Sequence, residues 1–209
     1  MEFVLKSLND LRGLQMAPEP FNAMLKSLIF VTAFYLSLVL IGLLMNGLEN
    51  LLFMIVEKIS NYGIANFICN RFTFIGIMIH ELSHALFVIL TGGKVTEIGL
   101  FDVFHGDQLG HVNFNLRGGS FRRSLQMTFT SCAPVIVLGT ILMVLLFVLW
   151  PMASLWWHYV LLVYGIMCCV CHMSMSPQDA SNYAKGLLYV YPLSWLIGFL
   201  IFWLLRPAG

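Results

Sequence analysis

The sequence predicts an all-α polytopic membrane protein of about five transmembrane helices, with a small membrane-associated β-hairpin or sheet after the second. Three observations carry this. Apolar residues make up 59% of the 209-residue chain, charged residues only 10%, and the mean hydropathy is +0.86. Soluble domains run nearer ~45–50% apolar and ~25% charged, so a soluble globular domain is excluded, and so is disorder, which needs the opposite balance. Five apolar runs approach the ~20 residues that a bilayer-crossing helix requires. Between the second and third run the pattern changes to strict alternation of apolar and polar residues, the mark of a strand. The net charge of +1 shows none of the basic surplus of a nucleic-acid binder.

Residues 1–26 read as an N-terminal interfacial segment, and 27–209 as one domain. Val4, Leu8, Leu11 and Gln15 recur at helical spacing, and Gly13 and Pro18-Glu19-Pro20 would end that helix. Spread charges and the lack of a small-residue cleavage site argue against a signal peptide. The first span is Ser27–Met45. Residues 46–70 mix Glu49, Glu57 and Lys58 with apolar residues, and read as a helical extension or an interfacial turn. The second span, Phe72–Leu90, ends at Gly92-Gly93. Lys94–Phe101 is one strand candidate. The second is the segment His111–Arg117, where Val112, Phe114 and Leu116 alternate with polar residues. The remaining spans are Met127–Trp150, Leu155–Met175 and Leu187–Leu205.

With five crossings and a cytoplasmic N-terminus, Lys6, Arg12, Lys26, Lys94, Arg117, Arg122, Arg123 and Lys185 share the cytoplasmic side. Lys58, Arg71 and Arg206 face the other way. That asymmetry favours the N-terminus inside and places the 91–126 loop there too. None of the five cysteines has the spacing of a secreted framework. They read as reduced thiols in packed or lipid-facing helix, including Cys168, Cys169 and Cys171, which do not converge on one ion from a single helix.

His80-Glu81-Leu82-Ser83-His84 is H-E-x-x-H. On a helix, positions i and i+4 stack on one face, so two imidazoles can take adjacent corners of a zinc tetrahedron. Glu81 lies beside that face, free to move a proton without being a ligand. A chain of this composition would show the pattern by chance roughly 0.005 times. Two His and a Glu inside an apolar span are also expensive unless paired, hydrated or metal-bound. A catalytic zinc takes three protein ligands and keeps one position open. Asp179 leads for the third place: Pro177 breaks the helix and leaves it on an irregular turn after the fourth span. Its alternative role is an N-cap for the following segment. His172, inside the fourth span, competes as a ligand. His158, beside Trp156 and Trp157, reads as an interfacial anchor. Asp102, His105, Asp107 and His111 read as solvated loop positions.

These features together resemble the site-2 protease family of intramembrane zinc metalloproteases, above all its small bacterial-type members. The likeness covers roughly residues 72–190: the H-E-x-x-H, the short sheet after it, Ala133-Pro134 in the third span, and Pro-x-Asp at the end of the fourth. The resemblance implies that His80, His84 and Asp179 bind one zinc ion and that Glu81 is the catalytic acid/base. It implies cleavage of a membrane-embedded protein substrate in or near a transmembrane segment, in a bacterial cytoplasmic membrane. Two positions depart from the family pattern. Gln178-Asp179-Ala180 stands where members often have Leu-Asp-Gly, and Val135-Ile136-Val137 follows Pro134 where many carry an Asn. The competing functions are a catalytically inactive zinc-binding membrane scaffold for client helices and a metal or solute transporter. Transporters commonly show internal repeats, and none is visible. The sequence sets no oligomeric state.

Overall fold

The computed structural model describes residues 19–100 and 110–205. The expected interfacial helix around Val4–Gln15, the loop residues Asp102, His105 and Asp107, and Arg206 lie outside the described residues.

Helix α1 runs unbroken from Glu19 to Ile59. Residues 46–59 therefore extend the first span; Glu49, Glu57 and Lys58 do not interrupt it because Glu and Lys are good helix formers. Asn61 then caps a short α2, Tyr62–Asn66, by accepting the Ile64 N–H at 3.0 Å. A π-helical turn, Phe67–Phe72, leads into α3, Phe74–Leu90, and the two apolar pieces bend by 51°. The bend sits at Thr73, whose hydroxyl donates to the Cys69 carbonyl at 2.6 Å.

Helix α3 ends where the sequence predicts. Gly92 adopts φ +81°, a left-handed conformation that side chains resist. Its N–H donates to the Ile89 carbonyl (2.9 Å) and that of Gly93 to the Val88 carbonyl (2.8 Å), which is the Schellman arrangement. The Arg122 guanidinium lies 3.4 Å from the Thr91 and Gly92 carbonyls, a cation at the negative end of the helix.

Strands β1 (Lys94–Gly99) and β2 (His111–Asn115) pair antiparallel, Lys94 opposite Asn115 and Gly99 opposite His111. The register is irregular between Val95 and Glu97, so Thr96 drops out of the residue pairing, and its hydroxyl donates to the Asn113 carbonyl at 2.9 Å. His111 opens the second strand, as its place in the strand candidate His111–Arg117 implies and not as a solvated loop position, and lies 3.8 Å from the Glu97 carboxylate.

Helix α4 (Ser120–Val144) continues through a second π-helical turn, Leu145–Leu149, into α5 (Trp150–Met152). Helices α6 (Trp156–His172) and α7 (Pro177–Leu204) follow. The sequence expectation placed the end of the fourth span at Met175 and an irregular turn after it. The structure corrects this: α6 stops at His172, and α7 already begins at Pro177. Pro177 starts a helix instead of breaking one, because its fixed φ and missing N–H suit the first helical position.

Among the described residues, three helices are long and apolar enough to cross a membrane: Pro20–Ile59, Ser120–Met152 and Pro177–Leu204. The bent pair Tyr62–Phe72 with Phe74–Leu90 has the form of one broken span or of a re-entrant loop, and Trp156–His172 is shorter. The sequence predicts five.

Two packing units are present. In the first, which among the described residues comprises 19–36 and 189–205, the Ser27 hydroxyl donates to the Trp195 carbonyl (2.6 Å), and Tyr35 bonds Ser194 (2.7 Å). In the second, Ser37–Leu188, Met45, Leu138, Cys169 and Met173 form an apolar core. Polarity is inverted relative to a soluble protein. Gln126, Thr128, Thr130 and Ser131 of α4 are buried while Leu44, Phe147, Trp156 and Leu188 are exposed, as expected of helices surrounded by hydrocarbon. Small residues set the spacing within this unit. A Cβ at Gly186 of α7 would collide with the Thr128 side chain and backbone and the Ser124 carbonyl. Gly186→Ala should therefore cost about 1–3 kcal/mol by overpacking, read as a lower melting temperature than wild type in detergent micelles.

Candidate metal centre

The H-E-x-x-H segment lies in the middle of α3, with His84 buried and His80 partly so. The rings cross at 71° with their Nε2 atoms 3.2 Å apart. What each Nδ1 touches fixes what the Nε2 atoms can do. His80 Nδ1 lies 2.7 Å from the His172 carbonyl oxygen, and His84 Nδ1 lies 2.8 Å from the Thr130 carbonyl oxygen. A carbonyl only accepts, so each Nδ1 carries its ring's proton and each Nε2 presents a lone pair. The two Nε2 atoms therefore do not hydrogen-bond each other. They are two donors of electron density facing one gap.

Asp179 supplies a third. Its Oδ2 is 3.8 Å from His84 Nε2, and ligand atoms of His80, His84 and Asp179 all lie within 4.8 Å of one another. Two nitrogens bound at ~2.0–2.1 Å to one tetrahedral zinc lie about 3.3–3.4 Å apart, so the imidazole spacing fits that ion closely. On the His84 side the carboxylate is about 0.5 Å wider than the same tetrahedron requires, and the whole set spans no more than 4.8 Å, so Asp179 has to move inward to complete it. Three electron-rich atoms in a largely buried cluster repel one another without a cation, so the donor set fits zinc.

Asp179 is not on an irregular turn, as the sequence suggested. It is the third residue of α7, where Ser176 and Asp179 cap each other. The Ser176 hydroxyl and N–H donate to Asp179 Oδ2 (2.6 and 3.3 Å), while the Asp179 N–H donates to Ser176 Oγ (3.1 Å). This is the reciprocal Ser-x-x-acid box of a helix start. The N-cap is thus Ser176, and Asp179 answers it from the third helical position with the same carboxylate that stands 3.8 Å from His84 Nε2. His172, the competing ligand, is placed differently. Its ring is buried with Nε2 2.8 Å from Thr73 Oγ1. Because Thr73 already donates to Cys69, it accepts from His172 here. It is the backbone carbonyl of His172, not its ring, that meets the site. Gly76 permits this, since a Cβ there would meet the His172 ring and the Cys168 carbonyl.

Glu81 is partly exposed beside the start of β2. A Cβ at Gly110 would come within 2.9 Å of Glu81 Cγ and 3.1 Å of the Gly99 carbonyl. The end of the hairpin therefore lies against this carboxylate. His158 serves α6 locally, its Nδ1 accepting the N–H groups of Ser154 (3.2 Å) and Leu155 (3.4 Å). All five cysteines are buried and unbridged.

Thr73, Ser176 and Gly110 were not singled out from sequence. The Ser-x-x-Asp spacing of residues 176–179 is a legible capping pattern; nothing local marks the other two. Removing the hydroxyl should test Ser176. Ser176→Ala should lower helix stability by about 1 kcal/mol and weaken zinc binding ~10–100-fold by releasing the carboxylate, measured by chelator competition on the purified protein.

Comparison with known proteins gives one match. A family model described as "Putative zincin peptidase" covers residues 73–179, just over half of the chain. No curated protein and no solved structure matches. The matched region begins at the Thr73 bend and ends on Asp179, so it contains the whole cluster. The chain belongs to this zincin peptidase family, a family of zinc metallopeptidases.

Proposed function

We propose that the protein is an intramembrane zinc metalloprotease of the site-2 type, hydrolysing a peptide bond in or near a transmembrane segment of a membrane protein. The observation that carries this reading is the pair of facing Nε2 lone pairs with Asp179 beside them, set in a chain whose exposed surface is apolar. His80, His84 and Asp179 hold the ion. Zinc, when bound, supplies a Lewis acid that polarises the scissile carbonyl and acidifies water. Glu81 takes the proton from the attacking water and delivers it to the leaving amine as the C–N bond breaks. The low-dielectric surroundings strengthen each of these charge interactions.

A helical substrate hides its carbonyls in i→i−4 bonds and has to be extended before attack. The two-stranded sheet gives each of its strands an outer edge without a third strand among the described residues. Its Gly99/Gly110 end abuts Glu81. An extended segment added along that edge would arrive at the carboxylate. Proline substitutions at alternate positions of β1 and β2 should cut turnover while leaving zinc content intact; unchanged turnover removes the strand-addition step.

The chemistry is tested by Glu81→Gln. Zinc should stay near one ion per chain by elemental analysis. New protein termini in or beside transmembrane segments, mapped by mass spectrometry of membranes expressing the wild type, should disappear. A mutant indistinguishable from wild type would leave the zinc-bearing scaffold. We also propose five crossings with a cytoplasmic N-terminus. Five put the hairpin on the same side as the N-terminus, whereas the three long helices alone put it opposite. Lys94→Cys, exposed on β1 while all native thiols are buried, should react with a membrane-impermeant maleimide only after cells are opened.

A further inference from the structure

We propose that Pro134 is a positioning residue for the metal ligand His84, acting through a backbone carbonyl that it strips of its helical partner. The inference rests on the zinc reading above. In an α-helix the carbonyl of residue i accepts from the N–H of residue i+4. Within α4 the donor for Thr130 would be residue 134, and residue 134 is the proline inside that helix. Proline has no N–H, and its ring pushes against the carbonyl of residue i−4. Thr130 is thus left with a buried carbonyl that lacks its regular i+4 partner, and an unpaired buried carbonyl is strongly disfavoured. The group that satisfies it is His84 Nδ1, at 2.8 Å.

One substitution in the pattern therefore does three things. It opens an acceptor on a continuous helix, at a depth where irregular backbone is otherwise rare. It makes that acceptor specific for an N–H donor, which holds the His84 proton on Nδ1. It thereby leaves the lone pair on Nε2, facing the partner Nε2 at 3.2 Å. His80 obtains the same kind of acceptor by another route: α6 stops at His172, whose carbonyl is one of the orphan acceptors of a helix end. Each ligand imidazole is oriented by a carbonyl released from helical bonding, one by a proline and one by a terminus.

A merely structural proline and a positioning proline predict opposite outcomes. Pro134→Ala and Pro134→Gly both return an N–H to residue 134, which competes with His84 for the Thr130 carbonyl. The measurements use the full chain in detergent, with zinc as the probe in chelator competition and the visible spectrum of the cobalt-substituted protein. Thermal unfolding of the zinc-free protein is followed in parallel. The expected result is a zinc affinity ~10–100-fold weaker in both variants and an altered cobalt spectrum. The zinc-free Ala variant should melt at or above the wild-type temperature, because its helix regains a hydrogen bond. Pro192→Ala, at the other proline inside a long helix, should leave affinity and spectrum unchanged. Equal zinc affinity and spectrum in wild type and both Pro134 variants, with binding lost in His84→Ala, overturns the positioning role and leaves the metal site standing. A wild type that binds no zinc overturns both. If Pro134→Ala fails to fold, Pro134→Gly alone decides between these outcomes; if both variants fold only below the wild-type melting temperature, the proline is structural and the proposal falls.

Discussion

Two imidazole nitrogens 3.2 Å apart with their lone pairs turned toward each other are not a stable arrangement in an apolar interior. A positive charge between them would relieve it, and the nearby carboxylate adds to the negative side of the balance. Much else in the second unit can be understood as meeting that condition. Carbonyls from α4 and from the end of α6 hold the proton of each ring on the far nitrogen. Gly76 lets α6 come close enough to do so. The first turn of α7 then brings Asp179 to the same gap.

The elements of this centre were unevenly legible in the sequence. The imidazole pair and Glu81 follow from spacing alone, because helical periodicity is local. Asp179 is suggested by its place beside a proline after an apolar span, but the setting differs from the expected irregular turn: the Ser176 cap makes Pro177 a helix starter. His172 competes as a ligand on sequence grounds because a polar residue in an apolar span needs a reason. The structure supplies the reason in Thr73 and in the carbonyl that accepts from His80, contacts 99 and 92 residues away along the chain. Such contacts have no periodicity to betray them.

The same division holds for the fold. Strand alternation and the Gly92-Gly93 stop were visible and are present. Helix lengths are less so: α1 takes the helical extension, one of the two readings of residues 46–70, running through charges up to Ile59, and α6 ends three residues before the expected limit of its span. In both cases helix propensity and tertiary contacts outweigh the apolar pattern. The buried polar stripe on α4, from Gln126 to Ser131, was overlooked within an otherwise apolar span, although it supplies the carbonyl that orients His84.

The doubled use of the Asp179 carboxylate has a consequence of its own. Oδ2 lends electron density both to the start of α7 and to the gap beside the imidazoles. Any cation drawn to that gap polarises the oxygen and alters the hold on Ser176, so occupancy and fraying of the first turn are thermodynamically linked. Amide exchange at residues 177–180 becomes an indicator of loading, legible without a substrate and without observing the ion itself.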